Sequence, residues 1–519
     1  MYWADEIAEQ VIAKYPDAEV FTCASGISPS GEVHMGNLRE VITTWFVVKA
    51  LQDRGKKTRF LFFWDNFDGL RKVPADQNQD FVKYVKCALD DIPDPMGCHD
   101  SWARHFEQPF VEALDTLGVQ VEHVRQSERY LRGDYADSII LAVQKRREIY
   151  DIIMSFKTQE ESAQEREQYY PVQVYCPQCH KHTTTVLADR ENGAVLDYEC
   201  KCGYSGTIDL RTEHNAKLVW KADWPMRWAR EHICFEPGGK DHSTEGGSAQ
   251  VASAIVGPIF GGEAPLYRGY EFIGIKGLNG KMSSSKGNVM TPAKMLKVYS
   301  PEIILWMFTR FLPEKAFDIS LDEDVLRTYH EFDRMYASYI SGEADEVVNR
   351  IMEMALSSTK GEYRHCPVSA QNIAAFAPIV NFDLDMLVSL LNKVGETCTR
   401  EQIEDRFERI TYWLKNYCPE SINTLLADVN TEFASTLSSE ERGWVEVLLA
   451  AIRDSDMGQE EMQTLLYDIP KINGEPDKAR QKRFFEIVYN LLLGKSKGPR
   501  LYLFLTAIDR DSLIKLLSI

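Results

Sequence analysis

Two stretches of the chain combine residue types that handle phosphate. "PSGEVHMGN" sets Pro29, Gly31, His34, Gly36 and Asn37 directly before a long segment of helical periodicity. Glycines let backbone approach a ligand, a helix start offers free N–H groups and a positive dipole end, and His34 can donate to a phosphate oxygen. A turn with a helix cap would use the same residues. "GIKGLNGKMSSSKGN" places Lys281 and Lys286 around Ser283, Ser284 and Ser285, between Gly280 and Gly287. Two ammonium groups with hydroxyls suit a polyphosphate that gains charge as it leaves; a solvated Lys/Ser loop has the same composition. In "FEPGGKDHSTEGGS", Gly238 and Gly239 permit close backbone approach and Asp241 can accept from ribose hydroxyls. Asp241 or Ser243 could instead cap the following helix.

A different chemistry is written in the cysteines. Cys176-x2-Cys179, twenty residues, then Cys200-x-Cys202-Gly resembles a zinc ribbon, whose four thiolates close a tetrahedral site; the second pair is one residue tighter than the usual x2, and His180 and His182 are possible substitutes. "DPMGCHDSWARH" adds Asp94, Cys98, His99 and His105, a set able to bind a second Zn²⁺, in which Cys98 and His105 could share a helical face.

These groups need a frame. "EVFTCASG" reads as a strand; Leu38, Val41, Ile42, Trp45 and Val48 then recur at helical spacing until Gly55, and "TRFLFFWD" is a second strand. Strand, helix, strand is one βαβ unit and implies a parallel sheet. The predicted fold is α/β: a Rossmann-type parallel-sheet catalytic domain in two halves (1–92 and 216–291), interrupted by a zinc-binding insertion (93–215). From about 292 the helical period takes over and no strand run stands out, giving a helical connector over 292–345 and an α-helical domain over 346–519. "TPAKMLKVYSPEIILWMFTRFL" opens that helical stretch, and a helix is expected around "SAQVASAIVG".

Taken together, the motifs resemble those of class I aminoacyl-tRNA synthetases. "PSGEVHMGN" is similar to their His-x-Gly-His element, with Asn37 in place of the second histidine; "KMSSS" is similar to their Lys-Met-Ser-Lys-Ser loop, with Ser284 where the second lysine usually stands. Together with "DWPMRW" and "GGKDHSTEGGS", the resemblance is to the lysine-specific branch, which resembles glutamyl enzymes in architecture, and it covers nearly the whole chain. It implies that lysine's carboxylate attacks the α-phosphate of ATP and that a terminal ribose hydroxyl of tRNA(Lys) takes the aminoacyl group. It also implies a bound Mg²⁺ bridging phosphate oxygens. By position, His34 and Asn37 stabilise phosphate charge, Lys281 holds the leaving pyrophosphate, and Lys286 takes the role of the second loop lysine. Gly26, Ser28, Trp220, His242 and Tyr270 fall where the family binds lysine. The resemblance places anticodon recognition in the C-terminal helical domain.

The composition sets bounds on this expectation. The 519 residues exceed one hydrophobic core, and 44% hydrophobic with 26% charged residues is ordinary globular usage. No apolar run reaches the ~18–20 residues of a membrane span, and the acidic start "MYWADEIAEQ" lacks a signal core, so the expected compartment is the cytoplasm, with no membrane or DNA partner. Eleven cysteines in such a chain do not suggest a disulfide framework. A net charge of −19 argues against coating nucleic acid through bulk charge, so tRNA contact falls to local clusters: "QKRRE" (Lys145, Arg146, Arg147), "DKARQKRFF" and "LLLGKSKGPRLYLF". Rival readings are a small-molecule adenylyltransferase, a glutamyl-type synthetase on the same frame, and a non-catalytic RNA-binding paralogue. The last is weakened because His34, Asp241, Lys281 and the cysteines are all present.

Overall fold

The computed structural model describes residues 2–157, 162–276, 289–357, 363–455 and 457–519. Its organising unit is the expected βαβ. Strands β1 (Phe21–Ile27) and β2 (Thr58–Trp64) pair in parallel from Phe21 opposite Thr58 to Ile27 opposite Trp64. The helix Met35–Asp53 crosses between them with Leu38, Val41, Ile42, Trp45 and Val48 all buried, and Gly55 stops it at φ +71°. The chain steps outward once more to β3 (Glu122–Arg125), parallel to β2.

An antiparallel region follows. Strands β4 (Val172–Val174) and β8 (Ala216–Leu218) pair with each other and enclose the three-stranded sheet of β5 (Thr184–Arg190), β6 (Val195–Cys200) and β7 (Ser205–Asp209) in the chain. Its residues share a core with neighbouring helices through Tyr130, Ile139, Val174, Leu196 and Leu218. The helix Trp220–Glu231 then leads back to the main sheet; Trp220, Trp224 and Trp228, one turn apart, lie with successive ring centroids 4.9 Å apart, the first pair stacked and the second tilted by 51°.

Strands β9 (Ile233–Gly239) and β10 (Leu266–Tyr270) complete the parallel sheet in the order β10-β9-β1-β2-β3. The chain builds outward from β1 on one side and then returns to its other side with β9. Loops at the carboxyl ends of β1 and β9 therefore diverge, and that divergence opens a crevice. The expected helix after β9 is Ser248–Phe260.

Beyond residue 292 the expectation of helix alone needs one correction. Strand β11 (Ile273–Ile275) pairs in parallel with β12 (Phe317–Ile319). Three residues, "FDI", are too short to show an alternating pattern. The run "TPAKMLKVYSPEIILWMFTRFL" is likewise two helices, Pro292–Leu296 and Pro301–Thr309, because Pro301 lacks the N–H a continuous helix would need.

The chain forms two compact units. One comprises 1–296, 301–319 and 335–361; the other 297–300, 320–334 and 362–519. Much of the second unit's core comes from the helices Ser439–Asp454, Lys478–Leu493, Leu501–Ala507 and Arg510–Leu517, packed through Leu448, Phe484, Val488, Leu491, Phe504 and Leu516. Among the described residues, no single helix is long and apolar enough to cross a membrane.

Candidate active site

The turn before the first crossover helix is a cap built from its own motif. His34 is the N-cap residue, its Nδ1 accepting the Gly36 N–H at 3.1 Å, while Asn37 Oδ1 accepts the His34 N–H at 3.1 Å. The two readings of this turn are thus compatible. An accepting Nδ1 carries no proton, so in the neutral imidazole the proton sits on Nε2 and can be donated; Asn37 likewise keeps its Nδ2 hydrogens. Glycine is required at 36, since a Cβ there would meet the His34 ring at 2.9 Å. The first helical N–H, that of Met35, donates to Met290 O at 2.9 Å, and Lys294 pairs with Glu32 at 3.2 Å. Lys281, Ser283, Ser284, Ser285 and Lys286 lie outside the described residues; Met290 stands four positions after Lys286 in sequence.

At the carboxyl ends of the strands, beside this turn, is a cavity of about 370 Å³. Gly26, Ser28, Trp220, His242 and Tyr270, which sequence reasoning assigned to the amino acid, all line it, as do Gly31 and Asn37. Pro29, His34 and Gly36 do not line it and belong to the turn. Asp241 sits exposed on the short helix Lys240–His242. Gly247, not Asp241 or Ser243, is the N-cap of the next helix; Ser243 instead donates to Gly239 O at 3.2 Å.

Glu40, Asp65, Asp68 and Arg71 also line the cavity and were missed from sequence. Glu40 sits among the apolar positions of its helix and reads as a surface residue. A signal did exist for Asp65: an acid directly after an apolar parallel strand stands where α/β sheets bind ligands.

Glu40 accepts the Gly26 N–H at 2.9 Å and the Tyr270 hydroxyl at 2.7 Å. Burial, with Glu236 and Asp65 nearby, pushes its carboxyl up to about 8 despite those two donors. No cation pairs with Glu40 among the described residues. Asp65 and Asp68 differ in having buried cations behind them. Arg227 lies 2.7 Å from Asp65, and Lys217 pairs with Asp68. Burial raises Asp65; it would raise Asp68 too, but Lys217 holds that carboxyl below its ordinary value.

Both metal candidates converge. The four Sγ atoms of Cys176, Cys179, Cys200 and Cys202 all lie within 4.8 Å of one another, with Cys176–Cys202 at 3.7 Å and Cys179–Cys200 at 3.6 Å. Tetrahedral Zn²⁺ with ~2.3 Å bonds requires S···S edges of about 3.8 Å, so this donor set fits the ion. His180 and His182 are not part of the cluster. Asp94, Cys98, His99 and His105 form the second set. Cys98 Sγ is 3.0 and 3.4 Å from Nδ1 of His99 and His105, and Asp94 oxygens are 3.3 and 3.1 Å from the same nitrogens. Edges of roughly 3.3–3.6 Å are expected for mixed N, O and S ligands, and this set also fits. The Met96 and Cys98 N–H groups donate to Asp94 at 2.7 and 2.9 Å and hold its carboxylate in place.

Comparison with known proteins agrees with this geometry. The model of the family described as tRNA synthetases class I (K) matches residues 1–358. The chain is 33% identical to a lysine–tRNA ligase of Pyrococcus horikoshii over 99% of both chains. It is 34% identical to one of Treponema pallidum, over 100% of this chain and 98% of the relative. A third, from Streptomyces coelicolor, is 32% identical over 99% of this chain and 98% of its own. With a parallel sheet opening at its switch point, a capped His34 turn and these full-length relatives, the chain belongs to the class I (K) family of tRNA synthetases.

Proposed function

We infer that the chain activates lysine with ATP and transfers it to the 3′ end of tRNA(Lys) in the cytoplasm. The observation that carries the choice of amino acid is Glu40, an acid with no paired cation among the described residues, at a cavity whose wall includes Trp220. A lysine stem packs on the indole while its ammonium meets Glu40 and the Tyr270 hydroxyl oxygen. A glutamate side chain would meet a carboxylate there instead, which disfavours the glutamyl-type reading.

In the first step the lysine carboxylate attacks the α-phosphate and pyrophosphate leaves. The His34 Nε2–H, the Asn37 amide and the helix start oppose the charge that builds on phosphate, and Lys281 and Lys286 oppose that on the leaving group. In the second, a ribose hydroxyl attacks the adenylate carbonyl and AMP departs. The protein supplies position and field rather than a nucleophile. Mg²⁺ accompanying ATP supplies further neutralisation of the phosphates. Cys176, Cys179, Cys200 and Cys202 would hold one Zn²⁺, and Asp94, Cys98, His99 and His105 a second, in structural roles.

The tRNA partner is supported by a groove in the second unit lined by Lys478, Lys482 and Lys497 together with Tyr467 and Phe485. Free lysines beside aromatic faces suit unpaired bases and their phosphates. ATP–pyrophosphate exchange with each of the amino acids, with and without tRNA, tests the assignment. Lysine-dependent exchange is the expected result; exchange with glutamate, or with no amino acid in the presence of tRNA, overturns it.

A further inference from the structure

Tyr175 and His182 bracket the first cysteine pair of the ribbon, and both reach the segment that follows β2. We propose that they are positioning residues that fix the cavity wall at 65–71 from behind, so that the ribbon's structural role extends to lysine binding; this rests on the lysine-activating reading above.

Asp65, Asp68 and Arg71 line the cavity, whereas Tyr175 and His182 do not, so any effect of these two on a ligand passes through the wall. The Phe67 ring is buried in the insertion core with Val174, Tyr175 and Leu196, and the Phe67 carbonyl accepts the Tyr175 hydroxyl at 2.5 Å. At Gly69 the His182 ring comes so close that a Cβ would overlap it, so this backbone rests directly on the ribbon's turn. The Lys86 N–H donates to Leu70 O at 2.8 Å, and Lys86 O accepts the His182 N–H at 3.0 Å. Lys217, on the strand paired with β4, donates to Asp68. Each residue from 67 to 70 is thus fastened on the side away from the cavity. The two side chains also brace one another, with the Tyr175 and His182 rings edge to face at 5.7 Å.

The turn that presents them is closed locally, by the Cys176 N–H to Lys181 O at 3.0 Å and the His180 N–H to Cys176 O at 2.8 Å. Beyond those bonds, the sulfurs of Cys176 and Cys179 face those of Cys202 and Cys200, and a Zn²⁺ held by all four would tie the turn to the end of β6. Tied there, the turn is a fixed stop for Gly69. Released, it lets Tyr175 and His182 withdraw and the wall relax.

The test is a double-mutant cycle on the full chain, with lysine and ATP affinities read by calorimetry and zinc content by elemental analysis. Gly69→Ala puts a methyl where the His182 ring stands, an overpacking that should weaken lysine about tenfold and ATP less than about twofold, with wild-type zinc content. Adding His182→Ala makes room for the methyl, and the double variant should regain most of the lost affinity. Tyr175→Phe keeps the packed ring and removes only the donor to Phe67 O, and should weaken lysine about fivefold. Cys179→Ser should lose one zinc and show the same selective loss for lysine, and Tyr175→Phe added to it should cost little more, because a wall already released cannot be released again. Additive losses in the Gly69 and His182 pair overturn the proposal, as does equal weakening of lysine and ATP. So does unchanged lysine affinity in Tyr175→Phe, the variant least able to disturb folding. An unaltered chain that neither binds nor activates lysine would instead sink the underlying function.

Discussion

The Tyr270 hydroxyl donates to Glu40 at 2.7 Å across 230 positions of sequence, and the Gly26 N–H donates to the same carboxyl at 2.9 Å. These two donors orient Glu40 toward the cavity. Glu40→Gln keeps the shape and removes the charge; a hydrogen bond to a charged group contributes about 1.5–3 kcal/mol, so KM for lysine should rise roughly 10- to 100-fold with KM for ATP unchanged. Tyr270→Phe should cost about tenfold in the same parameter. Steady-state kinetics with each substrate varied separates the two effects.

Lysine binding should depend on pH. Glu40 titrates up at about 8 in the empty cavity because burial disfavours its charge. Below that pH it is protonated and must lose a proton to pair with an ammonium. Affinity therefore rises with pH up to about 8, and binding releases a proton. For the empty protein the sign is opposite: a carboxyl raised on folding contributes stability that is lost as pH rises through 8. The increase in Tm given by lysine should then be larger at pH 8.5 than at pH 6.5. A Tm increase independent of pH would contradict the assignment of Glu40.

His34→Ala and Lys281→Ala should each lower the rate of adenylate formation roughly 100- to 1000-fold while ATP affinity changes little, since their donors act on charge that develops in the transition state. Single-turnover measurements with ATP and lysine read both quantities. Near wild-type rates in both variants would remove them from the phosphate site.

Two zinc ions per chain are expected by elemental analysis. Cys98→Ala should reduce the content to one and leave the fold standing, because Cys98 is exposed at the surface. Cys176→Ser should also lose one zinc but lower Tm more, since Cys176 is buried just after β4 and Cys200 is buried at the end of β6. One zinc in the unaltered protein would exclude the Asp94 set as a metal site.

Replacing Lys478, Lys482 and Lys497 together by Gln should raise KM for tRNA and leave lysine-dependent chemistry intact. Each single-stranded phosphate contact contributes about 0.7 to the slope of log affinity against log salt, so the slope should fall by about 2. An unchanged slope would place the tRNA contact elsewhere.

Much of this site was legible one stretch at a time. His34, Gly36 and Asn37 cap their own helix through neighbours two and three positions away, and an apolar run bounded by Gly26 and Gly55 has few alternatives to strand, turn and helix. The paired cysteines announce a metal by local spacing, because two residues in one tight turn already define half a tetrahedron. What the order of residues left open was which acids share a wall. Glu40 looks like a solvent-facing residue until Gly26 and Tyr270 close over it, and Asp65 looks like the end of a strand until packing brings Arg227 within 2.7 Å of it. The physical reason is range: caps and metal knuckles are satisfied by atoms a few bonds away. The charge state of a buried carboxyl depends on every group that packing brings near it, from anywhere in the chain.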